Sequence, residues 1–360
     1  MLLDVSDLRT AFRTRAGLVR AVDGVSLRLD RGQTLGIVGE SGSGKSVLVR
    51  SIMNLLPRSA VVAPDSRVLL DGEQAAMMAP ERRRHLWGRE VAMVFQNPMT
   101  SLNPVRRIGV QLTDPPRYHL GLSRKAASAR AAELLDLVGI PDPARRLRQY
   151  PHELSGGMRQ RVMIAIALSC GPKLLIADEP TTALDVTVQH DILDLLGRLQ
   201  HERDMAMILI SHDLAVVAGR TDRTLVMYAG RVVESGPTAT LFAAPRHPYT
   251  AALLRATPVL EEPSHGRLEV IAGPAPDLVR PPDGCRFAPR CRYAQTRCLA
   301  EDPPTGGDDH GADDHGYACF FPVGTAEGER ALAANLSAGR TAAGLDLTAA
   351  AAGRSMEEVS

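Results

Sequence analysis

The sequence predicts an α/β chain: a mainly parallel, doubly wound sheet with a small antiparallel portion, a helical insertion, and a smaller cysteine-bearing segment behind it. Three observations predict this. Apolar strand-like runs alternate with amphipathic helical stretches. A glycine-rich loop sits between an early strand and the helix that follows. From about residue 245 the composition turns proline-rich and carries four of the five cysteines. With 360 residues the chain is long enough for one large domain plus a smaller one.

Residues 1–38 read as short strands: Leu27 and Leu29 alternate with charges, and Thr34–Val38 is a compact apolar run. The loop Gly39-Glu40-Ser41-Gly42-Ser43-Gly44-Lys45-Ser46 follows directly. Residues 47–56 then show the helical period, stopped by Pro57. Residues from about 97 to 160 read as a mostly helical insertion, its start broken up by Pro98, Pro104, Pro115 and Pro116. Residues 123–138 form an amphipathic helix closed by Gly139 and Pro141. A helix over 159–169, an apolar strand ending in Asp178 and Glu179, a helix over roughly 186–203 and a strand over 206–210 continue the alternation. Residues 224–228 and 231–234, joined by Ala229-Gly230, read as an antiparallel hairpin closing the domain. The domain reading is therefore 1–244 for the large domain, 245–322 for the cysteine-bearing extension, and 323–360 for a tail expected to be disordered or loosely attached. That tail is rich in alanine, glycine and small polar residues and has little to pack with.

Composition narrows the function classes. A hydrophobic content of 44% and a charged content of 23% are ordinary for a globular chain. A formal net charge of +1 gives no global electrostatic case for nucleic-acid binding. No stretch reaches the roughly 18 apolar residues of a membrane-spanning helix. The N-terminus lacks the basic start and long apolar core of a secretory leader. The expectation is a cytoplasmic product that reaches a membrane only by binding a membrane protein.

The loop 39–46 carries the first chemistry. Glycines let backbone N–H groups converge on phosphate oxygens, and the following helix adds its positive end. Lys45 places a point charge at the outer phosphates, and Ser46 offers a hydroxyl to Mg²⁺. Asp178 and Glu179 end an apolar strand: the first suits the Mg²⁺ sphere, the second suits a general base for an attacking water.

The chain resembles an ATP-binding subunit of an ABC transporter. The resemblance rests on residues 39–46, Gln96, the stretch Leu154-Ser155-Gly156-Gly157-Met158-Arg159-Gln160, Asp178 with Glu179, Ala183-Leu184-Asp185, and His212 in Ser211-His212-Asp213. These occur in the family's order over roughly residues 1–240. It implies an ABC-type P-loop domain working as a head-to-tail dimer with two ATP molecules sandwiched between subunits. Gly39, Ser41, Gly42, Ser43, Gly44, Lys45 and Ser46 would hold the phosphates of one ATP. Ser155, Gly156 and Gly157 would close on the partner's. Ser46, Gln96 and Asp178 would surround Mg²⁺, Glu179, His212 and Gln96 would serve hydrolysis, and Asp185 would couple the two sites. Phe12 is the candidate for stacking on adenine, with a place in the core as the competing role.

A narrower resemblance, to oligopeptide/dipeptide (and nickel) importer ATPases, rests on residues 95–104 (Phe-Gln-Asn-Pro-Met-Thr-Ser-Leu-Asn-Pro), on Pro245-Arg246-His247-Pro248-Tyr249-Thr250, and on the stretch beginning Gly284-Cys285. It implies two transmembrane permease subunits, a second ATP-binding subunit (a heterodimer favoured over a homodimer), and a separate extracytoplasmic solute-binding protein. The work would be done at the cytoplasmic face of the membrane. Import of nickel or another small solute is the alternative, and a soluble ATPase without transport a more distant one.

Cys285, Cys291, Cys298 and Cys319 are not spaced as paired zinc knuckles. Four thiolates can hold a [4Fe–4S] cluster or a zinc ion, or can simply pack. The resemblance favours the iron–sulfur cluster, as a structural staple. The Asp-Asp-His repeat at 308–310 and 313–315 reads as a solvated loop, and Cys170 as a small core residue.

Overall fold

The computed structural model describes residues 1–96, 101–182, 184–257, 271–307 and 315–348. Its strands are β1 (Leu3–Thr14), β2 (Gly17–Leu29), β3 (Thr34–Val38), β4 (Ala60–Val62), β5 (Arg67–Leu70), β6 (Glu73–Gln74), β7 (Val91–Val94), β8 (Leu174–Asp178), β9 (Ala206–Ser211), β10 (Arg223–Tyr228), β11 (Arg231–Pro237), β12 (Gly306–Gly307) and β13 (Gly316–Tyr317).

Two sheets result. An antiparallel one runs β2-β1-β5-β6, with β4 on the other part of β1. The larger one runs β12-β13-β11-β10-β3-β9-β8-β7 and is parallel from β10 to β7. Its central strands are buried throughout, as parallel strands covered on both faces must be. The side-chain period of two then sorts residues by face. Leu174, Ile176, Ile208 and Ile210 join a core with Leu48, Val49 and Ile52 of the helix Lys45–Ile52 and with the antiparallel sheet. Leu175, Ala177, Met207 and Leu209 join the opposite core with the helices Gly156–Leu168 and Val186–Glu202.

The structure corrects several local expectations. The N-terminal strands are not short: β1 and β2 span 12 and 13 residues and pair along nearly their whole length. Pro115 and Pro116 do not break the insertion but lie inside the helix Ile108–Leu120. Each removes a backbone donor. The helix survives because its buried face of Ile108, Leu112 and Pro116 is anchored in the core, and Thr113 Oγ1 donates to the Gly109 carbonyl at 2.8 Å.

The tail expected to be disordered over 323–360 is ordered across 323–348, while residues 349–360 lie outside the described residues. The helix Ala326–Ala338 is N-capped by Thr325, whose hydroxyl accepts from Gly328 N–H. Buried Asn335 docks it onto the extension. Its Nδ2 donates to the carbonyls of Arg292 (2.8 Å) and Ala294 (3.1 Å), and its Oδ1 accepts from Gln295 Nε2 at 2.9 Å. Composition announced no apolar partner, yet Leu332 and Val323 pack against the core beside these polar bonds.

The loop reading of the Asp-Asp-His repeat falls on residues outside the described ones, except at His315. That residue is buried, with Nε2 at 2.8 Å from Glu234 Oε1. Cys170 is buried as expected. No described helix is long and apolar enough to cross a membrane.

Candidate functional site

Four neighbouring parallel strands, in the order β3-β9-β8-β7, deliver the candidate residues at their carboxyl ends, the edge where open α/β sheets bind ligands. The loop 39–46 leaves β3 after Val38, which faces Ser211 of β9 in the register. His212 follows β9. Asp178 ends β8 opposite Ile210, and Glu179 comes next. Gln96 lies just past β7.

The loop's shape is set by its glycines. Gly39 has φ +150° and Gly44 φ +104°, both in the region that suits glycine. A Cβ at Gly39 would run into the Met227 carbonyl oxygen, and one at Gly44 into that of Ala21. The backbone therefore passes flush against β2 and β10 before entering the helix Lys45–Ile52.

Lys45 is buried and turns back on its own loop, donating from Nζ to the carbonyls of Gly39 (2.7 Å) and Glu40 (3.0 Å). Burial lowers its pKa from the usual lysine value, and the nearby carboxylates of Glu179, Asp178 and Glu40 pull it partly back up. Ser46 Oγ donates to Asp178 Oδ1 at 2.9 Å. Asp178 is fully buried, its carboxyl raised above the usual range chiefly by that burial, and its Oδ2 has no hydrogen-bond partner. An orphaned buried carboxylate oxygen beside a serine hydroxyl is the donor set a hard divalent cation completes.

Glu179 is the hub. Its φ of +47° is costly for a residue with a side chain, so the surrounding structure must hold it there. Its Oε2 accepts from Gln96 Nε2 at 2.9 Å and from Thr182 Oγ1 at 3.0 Å, and lies 3.4 Å from His212 Nδ1. Three side chains from three segments thus fix one carboxylate oxygen. His212 itself stays exposed, open to a ligand arriving from solvent.

Other sequence-predicted residues stand outside this cluster. Ser155 caps the helix Gly156–Leu168, its Oγ accepting from Met158 N–H. Ser155 and Gly156 are exposed, and Gly157 packs so close to Val188 that a Cβ would contact it at 2.9 Å. Asp185 caps the helix Val186–Glu202 through Val188 N–H at 2.9 Å. The two motifs are therefore neighbours, joined by Val188, with their polar groups facing solvent. Ala183 and residues 97–100 lie outside the described residues. Phe12 is half-buried on β1, paired with Val19 and Ala60.

The four extension cysteines line one cavity, together with His247, Phe287 and Tyr293 among others. Burial pushes Cys285 to about 11 and Cys319 to about 12, and raises Cys291 and Cys298 as well. Backbone N–H groups point at the sulfurs, among them Phe321 N–H to Cys319 Sγ at 3.4 Å. Among the described residues no three His, Cys, Asp or Glu side chains are drawn together tightly enough to clasp a single metal ion.

Sequence reasoning missed Thr182, Glu40, Tyr249 and Arg290. Thr182 follows Glu179 by three positions and was within reach of a local reading. Tyr249 and Arg290 act on Glu40 from 209 and 250 residues away, and nothing in the order of residues announces that.

Comparison with known proteins gives two family matches. Residues 22–182 match the ABC transporter model, and residues 233–298 match the oligopeptide/dipeptide transporter C-terminal region. The chain is 50% identical over 303 residues to the oligopeptide transport ATP-binding protein OppD of Bacillus subtilis, covering 84% of this chain and 85% of that one. It is 48% identical over 322 residues to the dipeptide transport ATP-binding protein DppD of Escherichia coli, covering 89% and 97%. Among solved structures, a dimeric ATP-binding cassette in a post-hydrolysis state bound to ADP and Pi superposes with a TM-score of 0.59 at 25% identity, covering 66% of this chain and 99% of that one.

Proposed function

The chain belongs to the ATP-binding proteins of ABC transporters, in the branch carrying the oligopeptide/dipeptide C-terminal region, and from that premise we propose how it uses ATP and with what it assembles. It is the ATPase subunit that energises a peptide importer.

The observation that carries the mechanism is the convergence of Gln96, Thr182 and His212 on Glu179 Oε2, beside Asp178 and Ser46. Glu179 takes the proton of the attacking water. Gln96 and Thr182 keep its carboxylate aimed while the site is empty, and His212 holds the γ-phosphate side. Lys45 exchanges its two loop carbonyls for the outer phosphate oxygens, which its buried ammonium is already placed to meet. Ser46 and Asp178, with Gln96, would hold Mg²⁺, which supplies charge neutralisation at the phosphates when bound.

Ser155, Gly156 and Gly157 open a helix at an exposed N-terminus. They serve the ATP of a neighbouring subunit, not this chain's own. ATP therefore joins two ATP-binding subunits, and hydrolysis releases them. We assign that neighbour to a second, non-identical ATP-binding protein. Both would sit on a pair of permease subunits at the cytoplasmic face, downstream of a solute-binding protein. We assign a [4Fe–4S] cluster to the four cysteines, which line one cavity where burial makes bare thiolates costly. Such a cluster would staple a poorly cored extension.

Glu179→Gln tests the mechanism. With its partner ATP-binding subunit present, the variant should bind ATP, lose turnover by about two or more orders of magnitude and accumulate closed dimers on gel filtration. Turnover at the unmodified rate would remove Glu179 as the base.

A further inference from the structure

Glu40, the second residue of the phosphate loop, is gripped at three points. Its N–H donates to Tyr249 Oη at 2.8 Å, and its carbonyl accepts from Lys45 Nζ. Its carboxylate receives both ends of one guanidinium: Arg290 Nη1 reaches Oε2 at 2.7 Å and Nη2 reaches Oε1 at 3.0 Å. This fork-to-carboxylate pairing fixes orientation as well as distance.

Arg290 cannot swing away. It is buried, its Nε donates to the Ala272 carbonyl at 3.0 Å, Nη2 also reaches the Ile271 carbonyl, and Nη1 also meets Tyr228 Oη at 3.2 Å. The guanidinium carbon lies 5.7 Å from the centre of the Tyr228 ring. On the far side of the loop a second chain of bonds repeats the pattern. Arg286 donates to the Ala229 carbonyl and to Asp23, and the adjacent Gly230 N–H donates to the Ser43 carbonyl at 2.9 Å. Both arginines belong to the short segment between Cys285 and Cys291.

We propose that Arg290, with Tyr249, is a positioning residue for nucleotide: it holds Glu40 so that the N–H groups of the phosphate loop face the phosphates, making the cysteine-bearing segment a brace of the ATP site. This rests on the ATPase reading given above. Arg290 acts through Glu40 and does not touch ATP. Its loss lets the loop wander and weakens binding before it affects chemistry.

Affinity of the purified full-length chain for a fluorescent ATP analogue with Mg²⁺ tests it, in a double-mutant cycle. Arg290→Met and Glu40→Gln should each weaken binding about tenfold, a factor equivalent to about 1.4 kcal/mol. The double variant should be no worse than either single one. Arg290→Lys should recover only part, because a point charge cannot pair with both carboxylate oxygens. Tyr249→Phe, which deletes one hydroxyl, should weaken binding about threefold and serves if Arg290→Met fails to fold. Wild-type affinity in Arg290→Met, or in Tyr249→Phe where the former is unfolded, overturns the proposal, as does simple multiplication of the two single effects. Lys45→Ala separates the levels. If it abolishes binding while Arg290→Met binds like wild type, only the brace fails. If it too binds like wild type, the ATP-site reading itself fails.

Discussion

Replacing His247 by asparagine should flatten the acid limb of this protein's stability curve. His247 is fully buried between the core and the cysteine cavity, and caps the helix Pro248–Ala256 by accepting Tyr249 N–H on Nδ1 at 3.1 Å. Its backbone N–H donates to Glu234 Oε2 at 2.9 Å. Burial drives its pKa from 6.5 down to about 4, against a smaller upward pull from Glu234. The native state therefore keeps the imidazole neutral where the unfolded chain would protonate it. Between the two values the unfolded chain binds more protons, so stability is intact above about pH 6.5 and is lost as pH falls toward about 4. Integrating between about pH 7.5 and about pH 5 gives a loss of about 2 kcal/mol from this one group. Asparagine offers an oxygen in place of Nδ1 and remains a good cap, but does not titrate. Urea unfolding midpoints at the two pH values should therefore converge for the variant and separate for the parent. The partly buried His119, whose pKa burial also lowers, contributes equally to both proteins and cancels in the comparison. Parallel acid limbs in the two proteins would refute the assignment of this proton.

Two further outcomes follow from the extension. Protein isolated without oxygen should carry about four iron and four sulfide per chain, and Cys291→Ser should lose both; a stoichiometry of one zinc would sink the cluster assignment. Asn335→Ala strips three hydrogen bonds from the docking of the helix Ala326–Ala338, worth about 1 kcal/mol each. Amide exchange across that helix should accelerate by at least tenfold while the phosphate loop keeps its protection; unchanged exchange would show that the helix is held by something else.

What could be read in the sequence was chemistry written in consecutive residues. A loop such as 39–46 encodes its own geometry, because a positive φ and a close backbone approach each demand glycine where glycine stands, at Gly39 and Gly44. The apolar run before Asp178 says parallel strand because such strands are covered on both sides. The failures have the opposite character. Pro115 and Pro116 are breakers by local rule, overruled by the buried face around them. The tail was dismissed for lacking apolar residues, yet it is fastened by amide-to-carbonyl bonds that hydropathy does not register.

The same distinction explains why the extension looked like a separate module. Its composition differs, so it reads as a boundary, but its bonds run inward. β13 continues the main sheet by pairing with β11 at Glu234 and Ser235, His315 seals Glu234 from the same side, and Arg290 reaches the phosphate loop across 250 residues. Each of these contacts is polar and non-local, and buried polar groups are satisfied only by partners placed at hydrogen-bond geometry. Contacts of that kind cannot loosen gradually. Separating the extension would leave Glu234, the buried carboxylate of β11, with a missing donor, and Glu40 without its guanidinium. Leaving a buried carboxylate short of its donors is costly, so a chain cut near residue 245 should lose the shape of its ATP site along with its cysteines, although every ATP motif lies upstream of the cut.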